Sequence, residues 1–290
     1  MITLTANDAS LTLAPEIGGA VVEWRRKGLP MFRPTDPAVL AERNGRMLAS
    51  YPLVPFSNRI EARRFSWAGK TYDLPAQFNG FAIHGVGWLR EWTVTEQTAN
   101  TVTIALEQGP CAEWPYALKT WQRFELSADG LVSVLGVQNA DSIAWPAGIG
   151  QHPFFPRSPG LKLTLNAHSV WLNGGASKTP TARVAVPPEW DFSAGAPVGG
   201  AFIDNCFNGF DGVARLEYAD LGYVLTMRAG KPFGHTVVFV PDGQSFFAVE
   251  PVSHMNDAIN RMGTVPDHGL VVLQPGEALE GRIDYMVADL

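Results

Sequence analysis

Residues 161–166 read LKLTLN, so that Leu161, Leu163 and Leu165 alternate with Lys162, Thr164 and Asn166. A side-chain period of two belongs to an extended chain with one buried face, because successive Cβ atoms of a strand point to opposite sides. The same alternation sets Val102, Ile104 and Leu106 against Thr101, Thr103 and Ala105, and it returns at Tyr223, Leu225 and Met227 and at Ile283, Tyr285 and Val287. Residues 237–240, VVFV, are an unbroken apolar run suited to a strand covered on both faces. Strands are therefore expected from one end of the chain to the other. Helix signals are few: Asp36 can cap a helix that has Pro37 in its first position, continues over 38–44 and stops at Gly45. One or two short helices are expected.

The composition agrees with a strand-rich fold. Of 290 residues, 29 are Gly and 22 Pro, spread along the chain, while 46% are apolar and 17% charged, which describes a folded, turn-rich globular protein. No fixed-period repeat, low-complexity tract or linker divides the chain, so a single domain over 1–290 is expected, an all-β fold built as a large antiparallel β-sandwich. The net charge of −6, with no Lys/Arg run interleaved with aromatics, excludes nucleic acid and anionic membrane as the expected partners and favours a small ligand. Cys111 and Cys206 stand far apart without CxxC or Cys/His spacing, so reduced thiols are expected rather than a disulfide framework or a metal site. The start lacks a basic region followed by an apolar block, and no stretch stays apolar for 18 residues, so a soluble cytoplasmic protein is expected.

Six histidines occur, His84, His152, His168, His235, His254 and His268, and two have unusual surroundings. His84 lies in FAIHGVGW (81–88), leaving an apolar strand end for a turn with Gly85 and Gly87, which let a ligand approach the backbone closely. His152 lies in GIGQHPFFP (148–156), where Pro153 holds it extended and Phe154 and Phe155 supply rings that can wall a pocket. Taken singly, each reads more readily as a core histidine. Glu250 follows SFFAV and precedes Pro251, so it is expected at the end of an apolar strand, where burial raises a carboxyl toward the range of a general base; an ion pair with an arginine is the plainer alternative. Arg59, with Asn58 beside it, follows a Pro-rich extended segment and suits a polyhydroxyl ligand. Asp204, in AFIDNCFNGF, can accept hydrogen bonds from sugar hydroxyls, although Asp-Asn is as often a turn signal. As a set, these groups on a scaffold rich in Trp and Phe point to acid–base work on a carbohydrate.

PLVPFSNRI (52–60), IHGVGWLR (83–90), GIGQHPFF (148–155) and VEPVSHMNDAIN (249–260) resemble, in order and spacing, the motifs of the aldose 1-epimerase (galactose mutarotase) family. LAPEIGGAVVEWRRKG (13–28) is similar to that family's opening segment, so the likeness covers essentially the whole chain. The resemblance implies a galactose mutarotase-like β-supersandwich. It implies further that Glu250 is the catalytic base, His152 the general acid, His84 a second active-site histidine, Arg59 the substrate-binding arginine and Asp204 a hydroxyl-binding aspartate, with no cofactor or metal required. Gln151 departs from the pattern, since a bulky aromatic commonly precedes this histidine, and Phe155 stands where another aromatic is usual. The pocket is expected to differ in shape.

Such a site would interconvert the α and β anomers of a free aldose. Glu250 would deprotonate the C1 hydroxyl while His152 protonates the ring oxygen, with His84 sharing in its polarisation; rotation about C1–C2 and reclosure, roles reversed, give the other anomer. Arg59, Asn58 and Asp204 would hold the hydroxyls of the opened sugar. A metal-dependent cupin-like enzyme could also use two histidines and a glutamate, but its usual HxH pair is missing from the sequence. A non-catalytic sugar-binding protein would leave the combination of His84, His152 and Glu250 unexplained. The runner-up among enzymes is a mutarotase for a phosphorylated or otherwise anionic sugar, because Arg63, Arg64 and Lys70 lie near Arg59; a solvated strand face is their plainer role. The expected partner is a small aldose, acted on by a monomer or homodimer.

Overall fold

The computed structural model describes residues 1–174, 178–199 and 201–290. Two large antiparallel sheets dominate it. The first has nine strands in the spatial order Thr93–Gln97, Thr101–Gln108, Leu118–Ser127, Gly130–Asn139, Ala278–Asp289, Tyr223–Ala229, Val213–Tyr218, Leu161–Leu165 and Ala196–Pro197. The second has eight: Thr179–Val184, Ser169–Gly174, Ile203–Asn208, His235–Val240, Phe246–Val252, Gly150–Gln151 and Pro52–Leu53 in spatial order, with Phe154–Pro156 also paired to Phe246–Val252. The period-two segments thus form strands where the alternation predicts them, and the fold is an all-β sandwich.

The alternation also sorts the side chains between two cores. Leu161, Leu163, Leu165, Leu216 and Leu225 of the first sheet share one buried cluster with Val170, Ile203, Phe207, Val238 and Val249 of the second. Burial of each such side chain contributes about 1.5–3 kcal/mol. The residues between them, Cys206, Val237, Ala248 and Val252, point the other way into a second cluster with Tyr51, Leu53, Trp88, Phe154 and Met255. Hence the unbroken run at 237–240: Val238 and Val240 face the first core, Val237 the second.

Three local expectations are corrected. Asp36 does cap a helix, accepting from the Ala38 amide at 2.7 Å, but that helix is only Pro37–Ala41. Arg43 rather than Gly45 closes it, adopting the left-handed conformation (φ 53°) that ends helices. Gly45 instead opens a 3-10 turn, Gly45–Met47, wedged where a Cβ would stand 3.0 Å from the carbonyls of both Ile17 and Trp88. Glu250 is not at a strand end either, because the strand runs on through Pro251 to Val252; proline's fixed φ remains extended and costs only one ladder donor. Asp204 lies within the strand Ile203–Asn208, not in a turn.

Candidate active site

The face of the second sheet turned away from the main core carries Glu250, opposite Val237 in the register, with Cys206 opposite Val237 in turn. Period two dictates this, since Val249 on the same strand belongs to the main core. Residues 51–59, 83–87, 148–154 and 253–257 are laced over this face by backbone bonds. Val86 and Gly87 donate to the Val54 carbonyl at 2.8 and 3.2 Å, and His84 donates to Asn58 O at 3.0 Å. The Asn58 amide returns a bond to His84 Nδ1 at 3.1 Å. This turn holds His84 (φ 62°) and Gly85 (φ 68°) left-handed, and a Cβ on Gly85 would overlap the Val54 carbonyl oxygen, so only glycine fits. The His152 amide donates to Tyr51 O at 3.0 Å, and the Asp257 amide donates to Arg59 O at 3.1 Å.

At the centre, His152 Nε2 lies 3.2 Å from Glu250 Oε1, with both side chains almost wholly buried. Tyr51 stacks on His152 (centroids 4.6 Å, planes 21° apart), Phe154 lies 4.4 Å away, and His84 stands edge-on to His152 at 5.6 Å. Burial pushes the Glu250 carboxyl well above its ordinary range; the Asp204 carboxylate adds to this and Arg59 opposes it. Burial pushes His152 well below the usual imidazole value, reinforced by the Arg46 and Arg33 guanidiniums. His84 is lowered as well, by burial first and then by His152, Arg46 and Arg59. Because His84 Nδ1 accepts from the Asn58 amide, the proton of the neutral ring sits on Nε2, which is therefore a donor. Glu250 Oε2 and His152 Nδ1 are buried with no hydrogen-bond partner among the described residues.

Arg59 does not pair with Glu250. Its Nη2 reaches Asp204 Oδ2 at 3.1 Å, and its Nη1 and backbone amide donate to Asn58 Oδ1 at 3.3 and 2.9 Å. All six residues singled out from the sequence thus gather on this face, in two linked groups: Glu250 with His152 and His84, and Arg59 with Asn58 and Asp204. No group of three or more His, Cys, Asp and Glu side chains placed to hold a metal ion occurs among the described residues.

Residues 1–286 match the family model for aldose 1-epimerase. The chain belongs to the aldose 1-epimerase family. An uncharacterized Escherichia coli K12 protein, YphB, is 31% identical over 99% of both chains. A crystal structure from E. coli K12, itself only provisionally described as an aldose 1-epimerase, superposes with a TM-score of 0.90 at 29% identity, over 99% of this chain and 98% of the other. A galactose mutarotase-like protein from Clostridium acetobutylicum has the same fold, with a TM-score of 0.87 at 20% identity over 99% and 95% of the two chains.

As an aldose 1-epimerase family member the chain has its own wall beside His152. Gln151 is buried, its Nε2 donating to Ser50 Oγ at 3.0 Å, while Phe155 turns into the main core against Phe32. Arg64 is tied to Asp73 at 2.6 Å on an exposed hairpin, and Arg63 and Lys70 are exposed, so these cations form the solvated face of that hairpin. Sequence reasoning missed three residues that shape the site. Arg33 stands against both the Phe154 and Phe246 rings (4.0 and 4.5 Å) and donates to Met47 O and Leu48 O, burial lowering it to about 10. Arg46 covers the Phe78 ring at 3.4 Å, its Nε buried without a partner among the described residues. Tyr51 heads the motif that carries Arg59, and its position next to PLVPFSNRI was the available signal. Neither arginine lies in a segment with a chemical pattern of its own.

Proposed function

We propose that this chain is a mutarotase that interconverts the anomers of a free aldose, with Glu250 as base toward the C1 hydroxyl and His152 as acid toward the ring oxygen. The buried 3.2 Å contact between His152 Nε2 and Glu250 Oε1 carries the proposal. Geminal oxygens of an anomeric centre can each meet one member of such a pair. In the ion-pair form, Glu250 takes the hydroxyl proton as His152 gives one to the ring oxygen, and opening leaves a neutral carboxyl and a neutral imidazole. Burial favours that form of both groups, so the environment assists opening, and reclosure reverses the transfers. His84 Nε2–H supports the ring oxygen, and Arg59, Asn58 and Asp204 hold the hydroxyls so that the open chain stays bound. The reaction requires no cofactor or metal in this reading, and the chain works as one 1–290 unit in the cytoplasm, as a monomer or homodimer.

A second reading, an anionic sugar, draws support from Arg33 and Arg46, near His152 and with no carboxylate ion-paired to either among the described residues. The test is polarimetry on freshly dissolved α-glucose, α-galactose and glucuronic acid, comparing wild type with Glu250→Gln and His152→Ala. Acceleration of a neutral sugar lost in both variants supports the proposal; acceleration confined to glucuronic acid selects the second reading. Full activity in Glu250→Gln rejects the mechanism.

A further inference from the structure

Asp204 faces two ways. One carboxylate oxygen holds Arg59, while the residue also lines an open cleft of about 380 Å³ whose other walls include Asn173, Lys178, Trp190, Phe202 and Asn205. That volume falls within the usual range for a small-molecule site, about 300–1,000 Å³. Phe202 is 48% exposed and touches Phe239 edge-on at 6.4 Å, leaving ring surface free toward the cleft. Asn173 donates from Nδ2 to the Asp204 carbonyl at 2.5 Å, but its Oδ1 is buried without a partner among the described residues. Asn205 is held at both ends of its amide, donating to Trp171 O at 2.8 Å and accepting from the Asp204 amide at 3.2 Å, and so forms a fixed wall. Aromatic surface beside amide and carboxylate groups matches the C–H faces and hydroxyls of a sugar ring.

We propose that this cleft is a second sugar subsite. The substrate is then a reducing disaccharide or oligosaccharide, its terminal aldose at Glu250 and His152 and its next residue against Phe202 and Trp190, with Asn173 Oδ1 accepting from a hydroxyl. The assignment of the terminal unit rests on the mutarotase reading.

Titration calorimetry tests the subsite without relying on turnover. Maltose, cellobiose and lactose are compared with glucose, using the wild type, Phe202→Ala and Asn173→Ala. The expected result is that at least one disaccharide binds about tenfold more tightly than glucose, the factor equivalent to about 1.4 kcal/mol. Phe202→Ala should remove most of that advantage and leave glucose affinity unchanged, which also serves as its control for folding. No disaccharide binding more tightly than glucose, or an advantage that survives both substitutions, overturns the subsite. Polarimetry on the same sugars separates the two ideas: a Phe202-dependent disaccharide advantage with no acceleration of mutarotation keeps the subsite and rejects the mutarotase reading.

Discussion

Replacing Glu250 by Gln should remove activity and at the same time make the protein more stable. The carboxylate is 2% exposed, its Oε2 has no partner among the described residues, and its nearest polar neighbour is an imidazole 3.2 Å away that burial keeps neutral. Leaving a buried polar group unsatisfied costs about 1–3 kcal/mol, and more when it is charged. Gln keeps the shape and removes the charge. About 1–3 kcal/mol regained corresponds to a Tm raised by about 2–5 °C for a chain of this size. The pH dependence carries the sign. Because the folded-state pKa of Glu250 is raised above its unfolded value near 4.5, the wild type loses stability as pH climbs from that value toward the folded pKa, by at most about 1.4 kcal/mol per pH unit. The Gln variant lacks this loss, so its advantage should be small near pH 4.5, widen as pH rises, and level off above the folded pKa. Differential scanning calorimetry from pH 5 to 9 reads it. Loss of the general base should slow mutarotation by about 10²–10⁴-fold, or about 3–5 kcal/mol of barrier. A variant less stable than wild type at pH 8, or an advantage that shrinks with pH, would refute the reasoning.

Two further expectations follow from the same geometry. Asp204→Asn removes the charge that helps to hold the Glu250 carboxyl up and leaves Arg59 unpaired, and both changes lower Glu250; the alkaline limb of kcat/KM should move to lower pH, and a limb that stays in place or moves up would contradict the electrostatic assignment. Gly85→Ala brings a Cβ onto the Val54 carbonyl in a left-handed turn that itself costs a non-glycine residue about 1–2 kcal/mol, so a lowered Tm and weakened activity are expected in thermal melts and polarimetry, and an undisturbed variant would show that the turn does not position His84.

Much of the architecture was legible in one dimension because its cause is local. Alternation at 161–166 or 223–227 buries one face of a strand wherever that strand ends up, and the run at 237–240 already implied cover on both sides. Boundaries were less legible: Gly45 looked like a helix stop, yet its role is to pass close to two carbonyls contributed by residues 17 and 88.

The candidate residues too could be picked out by their surroundings in the sequence, whereas their relationships could not. His254 also lies in one of the motif segments, 249–260, but its Nε2 accepts from the Ser57 amide at 2.9 Å and its Nδ1 lies 2.7 Å from Met255 O, so both nitrogens brace the backbone and burial lowers it to about 4. An unspecified arginine was the plainer partner to expect for Glu250, yet Arg59, which lies near it, takes Asp204, 145 residues away in sequence. Register across the second sheet puts Asp204 and Glu250 on one face, and the packing of residues 58–60 over that face decides which of the two Arg59 meets. From the sequence alone came the strands, the family resemblance and the six residues. The tertiary structure decided which histidine meets the carboxylate, which charges are compensated, and that Arg33 and Arg46 stand near the pair, because burial and proximity are properties of the packed chain and not of any segment within it.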